Sequence, residues 1–232
     1  MPAEKFGVGQ SVTRKEDDPL LRGRGRYVAD LAPRGTLHAV MVRSPHAHAR
    51  FRIDAQKARA LPGVRLVLTG VETAGLAPLP CHVELPDVKI AVPPYPILAR
   101  ENVRHVGDAV AFVVAETLDR AKDAAEAVEI AWEPLPHAIG AAEAIKAGAP
   151  LVWPQRQGNI AFAATLGDAA ATSRAFAAAA KVVSLTLINQ RLVANYLDTR
   201  GVVAEYDSGR ERITLTLSSQ GPHAIRDALA EI

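Results

Sequence analysis

The sequence predicts an α+β protein with two units in one chain. Three observations carry that expectation. Several short segments rich in apolar and β-branched residues read as strands, above all Asp108 to Glu116 (D-A-V-A-F-V-V-A-E). Thr117 followed by L-D-R-A-K-D-A-A-E-A combines an N-cap, an acid in the first turn and apolar residues at helical spacing. Composition then shifts around residues 139–157, where Gly and Pro flank a short helical piece and mark a domain boundary.

Taken in order, residues 1–34 are polar, broken by Gly23, Gly25 and Pro33, and predict an extended arm and a turn. The R-G-R-G-R run at 22–26 has no aromatic interleaving, so it reads as a loop rather than an RNA-binding repeat. Gly35 to Arg43 alternates as a half-buried strand, and Phe51 to Asp54 continues an extended path. Ala55 to Ala60 is a short helix ended by Pro62-Gly63, and Val64 to Thr69 is a strand. Six prolines between Pro78 and Pro96 predict a long surface excursion. Asp108 to Glu116 should be buried on both faces. In the helix after it, Leu118, Ala121, Ala124, Ala125 and Val128 form one stripe. Strand character returns at Val128 to Trp132, making a strand-helix-strand unit that suggests a right-handed crossover. Beyond the boundary, a helix begins near Asp168, and Lys181 to Asn189 and Arg200 to Tyr206 read as strands. Asp207-Ser208-Gly209 is a hairpin turn into Glu211 to Ser219, and Pro222 to Ile232 opens a helix. A chain that stops inside that helix is expected to be incomplete.

At 232 residues, 49% of them apolar, the chain can bury a core without covalent staples. A net charge of +2 offers no case for nucleic acid or an anionic membrane as partner. Cys81 is alone, which excludes an internal disulfide and a cysteine-only metal site. The N-terminus lacks an apolar signal core, and the longest apolar run, Ala109 to Ala115, is too short for a bilayer. A cytoplasmic location with no membrane span is the expectation.

The segment V-R-S-P-H-A-H-A-R at 42–50 places two histidines one residue apart. On an extended strand both imidazoles would share a face, as a zinc or copper site would need. A further ligand would have to come from Cys81, His82, His105 or a carboxylate, none with matching spacing. Metal site, phosphate clamp and plain structure are the three readings that these residues leave.

The ordered motifs G-R-G-R-Y-V-A-D (23–30), L-H-A-V-M-V-R-S-P-H-A-H-A-R (37–50), P-G-V (62–64), V-R-H-V-G-D-A-V-A-F-V-V-A (103–115), A-A-E-A-V-E-I-A-W-E-P-L-P (124–136), R-G-V-V-A-E-Y-D (200–207) and S-S-Q-G-P-H (218–223) carry a resemblance over nearly the whole chain. It resembles the molybdenum-binding large subunit of the xanthine dehydrogenase, aldehyde oxidase and carbon monoxide dehydrogenase family. The resemblance implies an N-terminal arm at 1–19, an α/β hammerhead domain at 20–138, a linker at 139–157, and the start of a molybdopterin-binding α+β domain at 158–232. It implies that His46 and His48 belong to the hammerhead scaffold. It also implies that the glycine-rich loop beside the metal, most pterin contacts and the glutamate base lie outside these residues. The chain would then be a fragment, or one piece of a subunit encoded in parts, and inactive on its own.

One site position carries over. In the family, a glutamine at the end of the strand matching S-S-Q-G-P-H hydrogen-bonds an oxo ligand of molybdenum, which assigns that contact to Gln220. A carboxamide NH₂ can stabilise charge on an oxo group without competing as an anionic ligand. Elsewhere the chain departs from the family pattern: L-D-T-R (197–200) stands where many relatives read M-E-P-R, so Asp198 shortens the acid and Thr199 replaces the proline. His223 is a weak candidate base, and Cys81 reads as inert packing. The implied activity is hydroxylation of a carbon centre, or carbon monoxide oxidation, with water-derived oxygen. The implied cofactor is molybdopterin cytosine dinucleotide with molybdenum, with 2Fe-2S clusters and FAD on an iron-sulfur small subunit and an FAD-binding medium subunit. The remainder of the large subunit is a further implied partner, and the assembly an oligomer. The alternative is a non-catalytic hammerhead module for assembly or interaction.

Overall fold

The computed structural model describes residues 11–189 and 192–232. Its contacts divide the described residues into a larger unit, 35–188 with 221–232, and a smaller one, the residues through Arg34 with Asn189–Gln220.

The larger unit holds two three-stranded antiparallel sheets. In the first, β5 (Ala109–Ala115) lies between β1 (His38–Arg43) and β3 (Val64–Thr69). Val40 and Val67 both stand opposite Val113, one on each side. That central position explains the unbroken apolar sequence: Val110 and Ala111, which point to opposite faces, are both fully buried. In the second sheet, β2 (Ala49–Asp54) lies between β4 (Asn102–Val103) and β6 (Glu129–Pro134).

α2 (Gln56–Arg59) and α3 (Leu118–Glu126) cover the first sheet. The α3 start is as expected, with the Thr117 hydroxyl accepting from the Arg120 N–H at 3.2 Å. Ala121 and Ala124 are fully buried, and Ala58, Val67, Val113 and Val128 complete the core around Ala124. A second cluster joins Ala49, Phe51, Ala99, Val103 and Val110. Val42, Ile53 and Ile130 pack against both clusters and make the core continuous.

Two readings of this region need correction. The stretch β5–α3–β6 is not a crossover within one sheet, because β5 and β6 belong to different sheets and every ladder is antiparallel. A strand has two edges, and those of β5 are already taken by β1 and β3. β6 pairs instead along β2, Ala49 opposite Pro134 through Asp54 opposite Glu129. Leu118 is exposed, so the buried stripe of α3 starts at Ala121.

The turn from α2 into β3 needs Gly63, whose φ of +81° is costly for any other residue. Beyond β3, Glu72 fastens the next turn. Its carboxylate accepts from the Thr69 hydroxyl at 2.6 Å and the Thr69 N–H at 2.7 Å, and it pairs with Arg59 of α2. The hydroxyl bond from Thr69, with help from backbone donors and Arg59, holds the Glu72 pKa down at about 2. A depressed carboxylate stabilises the fold above its unfolded pKa and loses that contribution as pH falls toward the folded value. Glu72→Gln should therefore lower the Tm at neutral pH, and the gap to the parent should narrow as pH drops from about 5 towards 2. Thermal melts across that range provide the check, and a gap independent of pH would contradict the carboxylate's role.

The proline-rich segment after β3 is irregular up to β4, apart from an isolated Leu85–Val88 bridge. It is anchored by bonds such as Leu79 N–H to Tyr95 C=O at 2.8 Å and Ala91 N–H to Ala161 C=O at 2.8 Å. Beyond β6 come α4 (Ala141–Ala144), α5 (Ala169–Ala178) and α6 (Pro222–Ala230). Asp168 caps α5, its carboxylate accepting from the Ala171 N–H at 2.8 Å. The 181–189 segment, expected as a strand, joins no ladder among the described residues. Alternating apolar residues favour an extended chain, but a strand also needs a partner edge for its backbone groups. None of the described helices is long and apolar enough to cross a membrane.

The N-terminal region also departs from a purely extended arm. Asp17–Leu21 forms one helical turn, α1, with acids at its start and an Asp18–Arg22 pair at 2.6 Å.

Candidate functional site

The smaller unit contains the hairpin of β7 (Val202–Asp207) and β8 (Arg212–Leu217), paired from Val202–Leu217 to Asp207–Arg212. Its turn is built by Asp207, whose carboxylate accepts from the N–H groups of Gly209 at 3.0 Å and Arg210 at 3.2 Å. β8 ends at Leu217, and Ser218, Ser219 and Gln220 follow. Gln220 is exposed, three residues past the end of β8.

Asp198 holds this end of the hairpin. One carboxylate oxygen accepts from the Val28 N–H at 3.3 Å, and the other accepts from the Ser218 hydroxyl. Val28 opens a short 3₁₀ turn, Val28–Asp30, which Asp30 stabilises by accepting from the Tyr27 N–H at 2.9 Å. Gly201 fits beneath it, since a methyl group on Gly201 would lie 3.2 Å from Val28 Cγ1. Three motifs far apart in sequence, Y-V-A-D, L-D-T-R and S-S-Q, thus meet at one carboxylate.

The other candidates fall elsewhere. His46 and His48 lie in the bend between β1 and β2 rather than on an extended strand, so the alternation that would align their rings does not apply. The His46 ring packs 5.2 Å from Trp132, and His48 Nδ1 lies 3.1 Å from the Pro136 carbonyl. Both contacts are scaffold contacts. Cys81 is exposed, His82 lies 3.3 Å from the Glu231 carboxylate, and His223 sits exposed in the first turn of α6. Among the described residues, no three His, Cys, Asp or Glu side chains gather as a metal site.

Within the larger unit, a cluster that sequence reading missed fastens the 150–154 segment beside β4. Buried Asp108 accepts from the Arg104 N–H at 2.9 Å and from the Tyr95 hydroxyl at 3.1 Å. Burial, reinforced by Asp108, pushes the Tyr95 phenol up to about 12. The Arg104 guanidinium lies 3.7 Å over the Trp153 ring, and burial lowers its pKa. A cleft of about 410 Å³ opens beside it, lined by Leu76, Pro94, Arg100 and Trp153 among others. No spacing rule links Tyr95, Arg104, Asp108 and Trp153, so the sequence held no local signal for the cluster.

An exposed neutral amide just past a strand, with no set of protein ligands gathered among the described residues, fits a metal that arrives in a cofactor with its own ligands. Known proteins place the chain in that class. Residues 22–136 match the family described as aldehyde oxidase and xanthine dehydrogenase, a/b hammerhead domain, and residues 152–232 match the molybdopterin cofactor-binding domain. The carbon monoxide dehydrogenase large chain of Afipia carboxidovorans is 36% identical over 99% of this chain and 29% of that one. The nicotine 6-hydroxylase large subunit of Paenarthrobacter nicotinovorans is 34% identical over 99% of this chain and 28% of that one. The crystal structure of quinoline 2-oxidoreductase from Pseudomonas putida 86 aligns with a TM-score of 0.82 at 37% identity, over 96% of this chain and 28% of that one. The chain belongs to the xanthine dehydrogenase, aldehyde oxidase and carbon monoxide dehydrogenase family and corresponds to the N-terminal part of its molybdenum-binding large subunit. It spans under a third of the length of these relatives.

Proposed function

We propose that this chain forms the N-terminal portion of the large subunit of a molybdenum hydroxylase and is inactive without the rest of that subunit. The observation that supports this reading is Gln220, exposed just past β8 on a segment that Asp198 ties to the 3₁₀ turn at Val28. The hammerhead would occupy 20–138, with 139–157 as a linker and 158–232 as the start of the molybdopterin-binding domain; the family matches at 22–136 and 152–232 support that division.

The reaction proposed is oxidation of an aldehyde, an N-heterocycle such as xanthine, or carbon monoxide. Water supplies the oxygen, and two electrons and two protons leave the substrate and water together. When bound, molybdopterin cytosine dinucleotide supplies the two-electron redox chemistry, and 2Fe-2S clusters on a small subunit and FAD on a medium subunit carry the electrons onward. This chain's own contribution is local. The Gln220 NH₂ would donate a hydrogen bond towards an oxo group of the cofactor, and being neutral it would not compete as an anionic ligand. The assembly is an oligomer in the cytoplasm.

The test is elemental and flavin analysis of the complex purified with the products of the neighbouring reading frames. About one molybdenum per copy of this chain, together with iron and FAD, is the expected result. A stable complex without molybdenum, iron or flavin would favour a non-catalytic hammerhead module.

A further inference from the structure

We infer that Asp198 is a positioning residue that sets where Gln220 points. The inference rests on the placement of Gln220 proposed above, but its structural half stands on contacts within this chain. The Asp198 carboxylate divides its two oxygens between elements that nothing else in sequence connects: the Val28 N–H at the start of the 3₁₀ turn and the Ser218 hydroxyl just past β8. Ser218 is two residues from Gln220, so the carboxylate fixes the backbone from which the carboxamide projects.

β7 and β8 form a two-stranded sheet, and an isolated hairpin is marginal in water without further support. Most side chains on both strands are exposed, so packing does little to hold the β8 end. On the other side of the clamp, Tyr27 and Asp30 lock the 3₁₀ turn, and Gly201 lets the chain approach Val28 closely. One end of the clamp is therefore rigid, and the Asp198 carboxylate transmits that rigidity to the strand end. Carboxylate acceptors suit the task because charge-assisted bonds are stronger than neutral ones.

The experiment uses the assembled holoenzyme and four variants: Asp198→Ala, Asp198→Asn, Ser218→Ala and Gln220→Ala. Amide hydrogen exchange is followed in peptides covering 24–30 and 214–222, with molybdenum content, kcat and KM measured alongside. Asp198→Ala should speed exchange in both peptides by roughly ten- to a hundredfold, as expected when hydrogen bonds to a charged acceptor are lost. Molybdenum content and KM should hold while kcat falls. Asp198→Asn keeps an oxygen for Val28 and an NH₂ for Ser218 Oγ, so it should restore most of the protection and the rate. Ser218→Ala should loosen 214–222 and leave 24–30 protected.

Unchanged exchange at 214–222 in Asp198→Ala overturns the clamp. Faster exchange with unchanged kcat overturns the positioning of Gln220. If Asp198→Ala does not assemble, Asp198→Asn and Ser218→Ala decide by the same peptides. Should Gln220→Ala itself leave kcat untouched, the active-site placement of Gln220 fails, and the exchange data still decide whether Asp198 holds the strand end.

Discussion

Gln220→Ala in the assembled enzyme is expected to slow substrate-dependent reduction by roughly 30- to 1000-fold, the range for losing one hydrogen bond worth about 2–4 kcal/mol at a transition state. Cofactor content should not change, because a single neutral donor contributes little to holding a group anchored elsewhere. The rate effect is large for a physical reason. A donor fixed before the reaction stabilises developing charge without reorganising, whereas water in its place must reorient. Gln220→Glu should be worse than alanine, since a carboxylate aimed at an oxo group repels it and offers no N–H. Anaerobic single-turnover reduction, read beside molybdenum content, measures both effects. A rate equal to the parent's in Gln220→Ala would remove this residue from the active site and leave the hairpin as scaffold.

What the sequence disclosed follows from the range over which each interaction acts. The α3 helix could be read because its cap, Thr117, and the Arg120 N–H it accepts from are three residues apart. β5 could be read because burial on both faces leaves an apolar run with no alternation, and Val110 and Ala111 are both fully buried. The β7–β8 hairpin was visible because its turn carries its own acceptor in Asp207. All three signals are local.

The failures are non-local. Nothing within β5–α3–β6 says that both edges of β5 are filled, by β1 about 70 residues earlier and by β3 about 45 residues earlier. The 181–189 segment has the right alternation, but pairing belongs to a partner edge and not to the segment itself. The histidine pair left a metal site open on its residues alone, because period-two reasoning holds only on a strand and Pro45 sits in a bend. The candidate site divides along the same line. Gln220 is proposed from the family resemblance, whereas the bonds of Asp198 beside it leave no trace in the sequence. Asp198 looked like a variation in a turn, because its partners Val28 and Ser218 are 170 and 20 residues away. A lone acid with distant partners leaves no pattern in a single sequence.

Self-association of the isolated 232-residue chain is the second large effect expected. Val183, Leu185, Leu187 and Ile188 each keep about 80% or more of their surface exposed. They lie in the 181–189 segment, which joins no ladder among the described residues. Exposed apolar side chains in an extended, unpaired backbone are what another strand edge recognises, through main-chain hydrogen bonds and burial together. In the isolated polypeptide a second copy is the available partner. Light scattering at micromolar concentration should then give a mass above that of one chain. Leu185→Lys with Leu187→Lys places two like charges on one face of the extended segment, since side chains two apart point the same way. That pair should shift the mass towards a monomer while leaving the far-ultraviolet circular dichroism unchanged, because neither residue contributes to the core clusters of the two sheets. A parent chain that is already monomeric, or a variant that associates as before, would show that this segment is not the adhesive edge. The same polypeptide should purify without stoichiometric molybdenum, since Gln220 alone supplies a hydrogen bond and no hold on a cofactor.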